Sequence, residues 1–410
     1  MVESVEVAVV GAGAAGLMAA LWAGRERHGR GVVVLEGART LGAKILVSGG
    51  GRCNLTHDEV SERDYAGSTP AAIRKVLRRF PVPQTIDFFR ELGVELKREA
   101  GGKLFPVSDS ARTVLAALLA ATRAAGAEIR FPRRVETVSR QAAGFLVAGA
   151  WGELTARRVI LASGGRSLPR SGSDGHGFVL AAELGHSLTP RLLPALVPLT
   201  LDASSFILGL AGITLAARLE LRSGSGKRLV SFTGSTLLTH FGVSGPPVLD
   251  ISRHYLAAHA EDPGAHLVMS WLPGETPATV DAELRALGAG SVAGYLRRLL
   301  PERLAAALCA EVAVDPATAG HRLTREARRT LVGALVEMRL PVTGHRGFVV
   351  AEATAGGVPL AELKLDTLES RVAAGLHFCG EICDVDGRVG GYNFQWAWAS
   401  GYVAGVAMGQ

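Results

Sequence analysis

Gly11-x-Gly13-x-x-Gly16, with Ala14 and Ala15 between its last two glycines, is the first pattern in the chain that could do chemistry. It joins an apolar run, Val5 to Val10, to a helix-forming stretch from Leu17 to about Arg27. A second apolar run, Val32 to Leu35, ends in Glu36. This order predicts a β-α-β unit that binds a dinucleotide. The first glycine allows a tight turn, the second lets the backbone approach a pyrophosphate, and the third lets the helix pack close to the strand. The helix amino terminus then faces the phosphate charge. Glu36 is placed to accept hydrogen bonds from both ribose hydroxyls of an adenosine. It disfavours a 2′-phosphate, so the ligand is FAD or NAD rather than NADP.

Glycine-bearing segments far along the chain choose between the two. Ser48 is followed by Gly49, Gly50, Gly51, Arg52, Cys53 and Asn54, a run that offers successive backbone donors and a cation to a diphosphate or an electron-rich ring. Ile160-Leu161-Ala162-Ser163-Gly164-Gly165 reads as an apolar strand ending in a glycine pair. Phe378-Cys379-Gly380-Glu381 reads as another strand end, and Gly390-Gly391-Tyr392-Asn393 opens an apolar terminal segment. A long, two-ended ligand touched by both ends of the chain is FAD.

Other reactive residue types have a bland reading beside the chemical one. Cys379 and Cys383 lack the C-x-x-C redox spacing and read as one buried and one incidental thiol. Cys53 reads as a small neighbour in a backbone-driven loop rather than a nucleophile or a flavin attachment point. His240, before Phe241-Gly242, is either a general acid with a pKa suited to neutral pH or a structural histidine in a turn. Tyr392, Trp396 and Trp398 read as packing residues of the terminal helix. No triad, acid pair or metal-ligand constellation stands out, which fits a cofactor that carries the chemistry itself.

The elements that must position these residues follow from pattern and composition. The chain has 410 residues, 48% hydrophobic and 20% charged, enough for two or three domains with substantial cores. The balance of 44 basic against 38 acidic residues gives +6, but only six of the basic residues are lysine. A GC-rich coding bias accounts for that, and no basic block is present, so a nucleic-acid partner is not expected. Four cysteines in this length are no disulfide framework, and the acidic amino terminus is no export signal; the expected location is the cytoplasm. Val389 to Gln410 is uncharged yet too polar and glycine-rich for a membrane span, and reads as a buried helix. Ser108-Asp109-Ser110 reads as a cap before a helix through Leu118, and short strand-like runs from Glu128 to Leu161 read as a meander returning to the first sheet. Residues 190–275 alternate as antiparallel strands, with a hairpin around Ser223–Lys227. Residues 277–336 turn helical, and strand character returns after Gly344.

The chain resembles the BaiN-like (YhiN-type) bacterial flavoproteins, a family that includes aminoacetone oxidases. The resemblance rests on Lys44-Ile45-Leu46-Val47 leading into Ser48–Asn54, on Pro194–Leu199, on Thr239-His240-Phe241-Gly242-Val243-Ser244-Gly245-Pro246, and on Gly390-Gly391-Tyr392-Asn393-Phe394-Gln395-Trp396-Ala397. It implies an α/β fold: an FAD-binding Rossmann-like domain over residues 1–190 and 345–410, an inserted β-rich substrate domain over 191–276 with a return through 337–344, and a small helical domain over 277–336. It places Gly11, Gly13, Gly16 and Glu36 on the ADP half of FAD, with Lys44 and Gly49–Asn54 beside the pyrophosphate and flavin. Val135 is to hold the adenine through its backbone, Gly380 and Glu381 the ribityl region, and Gly391, Tyr392 and Asn393 the flavin pyrimidine edge. Ser163 stands where the family has threonine, His57 where it has asparagine, and Leu238 where it has an aromatic residue. The implied activity is that of an FAD-dependent oxidoreductase on a small molecule, oxidising an amine or alcohol or reducing an activated double bond, with O2 or NAD(P)H as electron partner. The alternatives are an NAD(P)H-dependent disulfide-type reductase, for which no second strand-linked G-x-G-x-x-G exists, and a non-catalytic flavin-binding or RNA-associated protein.

Overall fold

Strand β1, Glu3–Val10, is fully buried from Val7 to Val10, as an inner strand covered on both faces must be. Helix α1, Ala14–Glu26, follows after a three-residue turn, and β2, Val32–Leu35, pairs parallel to β1 with Val10 opposite Leu35. The computed structural model describes residues 2–410. Helix α2, Ala111–Ala124, buries Val114, Leu115 and Leu118; Ser110 stands at its N-cap position but makes no capping bond through its side chain. Strand β3, Glu128–Arg130, extends the parallel sheet beyond β2. Strands β4, Thr137–Gln141, and β5, Gly144–Gly149, form the expected meander and lead into β6, Gly152–Leu161.

Strand β6 has two roles along its length. Its first residues pair antiparallel with β5, and its last, Val159 to Leu161, pair parallel with a strand from the far end of the chain. The contact pattern divides the molecule into two units, one running to Pro194 and resuming at Ala351–Gln410, the other Ala195–Val350. The sequence pattern had put these boundaries at 190 and 344.

The second unit begins with β7, Leu199–Leu201, and the long hairpin of β8, Thr214–Arg222, and β9, Arg228–Thr239. The short β10, Gly242–Ser244, precedes α3, Pro246–Glu261, and β11, His266–Ser270. Helices α4, Pro277–Ala286, α5, Glu302–Glu311, and α6, Arg325–Val336, come next, followed by β12, Met338–Arg339, and β13, Val342–His345. The strands form one sheet in the order β12-β11-β8-β9-β10-β7-β13. Leu304, Leu308, Leu331 and Leu335 share one apolar core with Leu219, Leu267 and Met269, so the helices and this sheet bury each other.

Back in the first unit, β14, Leu376–Phe378, takes its place beside β6, giving five parallel neighbours in the order β14-β6-β1-β2-β3. The uncharged terminal segment is helix α7, Tyr392–Val406, most of whose residues are buried against the same core that holds α1. No helix among the described residues is long and apolar enough to cross a membrane. In a sheet of this kind ligands bind beyond the carboxyl ends of the strands. Gly11, Glu36, Ala162 and Cys379 directly follow four of those ends.

Candidate functional site

At the carboxyl end of β1 the backbones come too close for side chains. A Cβ on Gly16 would lie 1.9 Å from the Gly11 carbonyl oxygen, and one on Gly11, whose φ is +106°, 2.5 Å from that of Ala162. Gly13 differs: no atom lies within 4 Å of its Cβ position. The amides of Ala14, Ala15 and Gly16 begin α1 and have no acceptor within the helix, so this open space adjoins unpaired donors suited to a pyrophosphate. The Glu36 carboxylate is fixed by two backbone amides, Ala12 to Oε2 and Ala38 to Oε1, both at 2.7 Å. Each oxygen keeps a second lone pair for a ribose hydroxyl. The Glu36 carbonyl accepts the Arg133 amide at 2.6 Å, two residues before the buried Val135, and Arg134 between them is paired with Asp174 at 2.7 Å.

Beyond β6, Lys44, Ser167 and Glu381 come together from three distant parts of the chain. The Lys44 ammonium donates to both the Ser167 hydroxyl and the Glu381 carboxylate, and Ser167 donates to Glu381 Oε1 at 2.7 Å. Thr354 Oγ1 fixes the approach by accepting the backbone amides of Arg166 and Ser167 at 2.8 and 3.1 Å. Sequence reasoning found Lys44 and Glu381 but missed Ser167, Thr354 and Ser173. The one local signal was a polar turn, Arg166-Ser167, directly after the Gly164-Gly165 pair.

The Gly49–Asn54 loop is shaped by its backbone. Gly49, Gly50, Gly51 and Cys53 all have left-handed φ, and the Cys53 amide donates to Ser48 at 3.1 Å. Burial pushes the Cys53 thiol up to about 12, so it is no nucleophile. The Arg52 guanidinium lies 2.8 Å from Glu99 and 3.5 Å from Asp109 and stacks over Phe105. Its charge is thus committed within the loop's own surroundings, where the sequence had suggested a cation for the ligand.

The terminal motif works as a clamp. Gly391, the N-cap of α7 at φ 96°, must be glycine because a Cβ there would lie 2.6 to 2.8 Å from the Thr56 backbone. Tyr392 stacks on His57 with ring centroids 4.9 Å apart and accepts at its carbonyl from the Tyr65 hydroxyl at 2.8 Å. Asn393 spends both ends of its side-chain amide on Gly387, at 2.8 and 2.9 Å. Gln395 accepts from Thr56 and Thr85 and donates to Phe80. Trp396 donates to the Gly380 carbonyl at 3.0 Å, while Ser400 accepts the Gly380 amide at 2.9 Å.

Cys379 and Cys383 are both completely buried and unbridged, and burial pushes both thiols far up. His240 belongs to the second unit, exposed in the two-residue turn between β9 and β10, with its ring edge-on to Phe241 at 5.1 Å.

The first-unit residues fit FAD on their own chemistry. Asn54 Oδ1, Ser163 Oγ and Ser173 Oγ are buried without a hydrogen-bond partner, an arrangement that proteins avoid unless a ligand or water completes it. Gly164 has its Cβ position 2.8 Å from Ser173 Oγ, so two of the three orphans lie beside the end of β6. With the open phosphate turn and the ribose-facing Glu36, these groups could hold both halves of the cofactor.

Comparison with known proteins agrees. Residues 5–407 match the family described as HI0933-like protein Rossmann domain. The chain is 35% identical to the 3-dehydro-bile acid delta(4,6)-reductase of Clostridium scindens, over 98% of both chains. It is 32% identical to the ribosomal RNA dihydrouridine synthase of Escherichia coli K12, over 98% of this chain and 97% of that one. Among solved structures, a 3-ketosteroid delta1-dehydrogenase from Sterolibacterium denitrificans shares the fold with a TM-score of 0.53, at 14% identity and 99% coverage of both chains. The chain therefore belongs to the HI0933-like Rossmann family and is an FAD-dependent oxidoreductase.

Proposed function

We propose that this protein reduces a carbon–carbon double bond conjugated to a carbonyl in a small molecule. The observation that carries this reading is the pair of relatives named for a delta(4,6)-reductase and a dihydrouridine synthase, both of which by name add hydrogen across C=C. FAD, when bound and reduced, would supply the hydride chemistry, and the protein must deliver a proton to the α-carbon of the substrate. His240 is the proton donor in this reading: it is exposed, lies edge-on to Phe241, and its side chain makes no hydrogen bond or ion pair among the described residues. The Gly11–Gly16 turn, Glu36 and the Lys44–Ser167–Glu381 group hold and orient the cofactor. Two buried, high-pKa thiols argue against a disulfide-type reductase.

A second reading keeps the chemistry and changes the carrier: the C5=C6 bond of uracil is also conjugated to a carbonyl, and the RNA-modifying relative matches nearly the whole chain. Parallel anaerobic incubations of the reduced protein with a simple enone and with unmodified ribosomal RNA, followed by mass spectrometry, separate the two. Saturated ketone as the product supports the first reading. Dihydrouridine in the RNA, with the enone untouched, replaces it with the second. In the productive assay His240→Gln should lower turnover by roughly a hundredfold or more while leaving FAD content intact.

A further inference from the structure

We infer that Arg346, held against Phe241, is a specificity-determining residue that takes the single anionic group of an amphipathic substrate at one end of the second unit's sheet. The relevant groups converge there by strand pairing. Strand β7 lies between β10 and β13, with Leu199 opposite both Val243 and His345. The turn between β9 and β10 presents His240 and Phe241, and the Phe241 carbonyl accepts the Leu201 amide at 3.0 Å. Just past β13, the Arg346 amide donates to the Pro198 carbonyl at 3.1 Å, which anchors the backbone on the same side.

The side chain is then fixed by stacking. The Arg346 guanidinium lies 4.4 Å from the centre of the Phe241 ring. No carboxylate pairs with it among the described residues, unlike Arg52, Arg134 or Arg222, whose charges are all balanced by acids. A guanidinium with its face on an aromatic ring still presents its N–H donors at the edge, a planar fork that matches a carboxylate or phosphate. His345, exposed beside it, adds a donor: its Nδ1 accepts the Gly347 amide at 3.0 Å, which leaves a proton on Nε2 to donate.

Charge and exposure choose the ligand class. A nucleic acid presents a run of phosphates and calls for several free cations. Among the described residues this end of the sheet offers one guanidinium without a carboxylate partner, Arg346, beside apolar surface, Val349 being 64% and Val350 38% exposed in the turn that follows. One anionic group on an otherwise apolar ketone complements that arrangement. The inference rests on the reductase reading only in calling the ligand a substrate.

The test uses FAD-loaded full-length protein and the enone benzoylacrylate, a monoanion, beside its uncharged methyl ester. Equilibrium dialysis gives the affinities, and anaerobic mixing with photoreduced protein gives the rates. The wild type should bind the acid more tightly than the ester. Arg346→Gln should weaken the acid by roughly ten- to a hundredfold and leave the ester unchanged. In turnover it should raise KM for the acid with kcat little altered, and Arg346→Lys should recover only part of the loss. FAD content and Tm show whether each variant is folded, and Phe241→Leu, which removes the stacking partner, should reproduce part of the effect independently. Equal binding of acid and ester by the wild type, or equal weakening of both by Arg346→Gln, overturns the inference. So does tighter binding of a uridine-rich oligonucleotide with a steep salt dependence that Arg346→Gln abolishes. If the acid–ester discrimination appears but the bound acid never reoxidises the flavin, the reductase reading fails and the anion site stands.

Discussion

The indole N–H of Trp396 donates to the carbonyl oxygen of Gly380 at 3.0 Å, so the terminal helix holds the strand end that carries Glu381. Trp396 is 1% exposed, and the Gly380 amide is bound by Ser400 from the same helix. Position of the Lys44–Ser167–Glu381 group thus depends on a side chain whose indole N–H bonds the residue before Glu381. Trp396→Phe keeps an aromatic ring and removes one of the two donors to the Gly380 carbonyl, leaving the Cys383 amide at 3.2 Å. It should cost about 0.5–1.5 kcal/mol of stability, read from chemical denaturation, and release FAD more readily than the wild type on dilution.

Glu36 makes a sharper demand on the cofactor alone. Its two backbone bonds hold the carboxylate at the end of β2 whether or not a ribose is bound. Glu36→Ala should weaken FAD binding by roughly ten- to a hundredfold, since a charged hydrogen bond contributes about 1.5–3 kcal/mol. Titration of apoprotein with FAD, followed by flavin fluorescence, measures it.

Gly391→Val should fail for a reason internal to the protein. The new side chain would strike the Thr56 backbone, so both stability and FAD content should fall. Gly401→Ala is no benign control, although its place well inside the helix suggests one: a Cβ there would lie 2.6 Å from the Ala15 carbonyl oxygen and 2.9 Å from Met18. Gly333→Ala, in α6 with nothing within 4 Å, should instead stabilise by about 0.5–1 kcal/mol. Thermal melts of the three variants give the order.

The parts legible in the sequence were those written in local spacing. The β1-α1-β2 unit, the β8–β9 hairpin and the terminal helix could be read because each depends on neighbours within about thirty residues. The Lys44–Ser167–Glu381 group could not be assembled this way, since its members stand 123 and 337 residues apart and meet only through the parallel sheet. Asn393 is legible in another way. Its place in a distinctive motif suggested contact with the cofactor, and the structure shows its side-chain amide bonded to both backbone groups of Gly387, with one N–H and one lone pair left over. A motif alone does not say whether its residues serve a ligand or the protein's own backbone.

Away from the site, Glu362 gives a pH dependence with a definite sign. Burial alone would raise its pKa, but hydrogen bonds from Ser187 and His186 outweigh that and hold it below 4.5. A carboxyl depressed on folding contributes stability above its unfolded pKa and loses it as pH falls through the folded value. Glu362→Gln should therefore lower Tm at pH 7 and lower it less at a pH below that folded value. An unchanged Tm difference between the two conditions would show that the ionised form of Glu362 is not what His186 and Ser187 recognise.

The most direct test of the enzymatic reading is anaerobic stopped-flow mixing of the photoreduced FAD-loaded protein with a conjugated enone. The flavin absorbance should recover as the enone is consumed, one saturated ketone per flavin, and the matching isolated alkene should leave the flavin bleached. Recovery only on admission of O2, with neither the enone nor ribosomal RNA reoxidising the flavin, would contradict reduction of a conjugated double bond as the function of this chain.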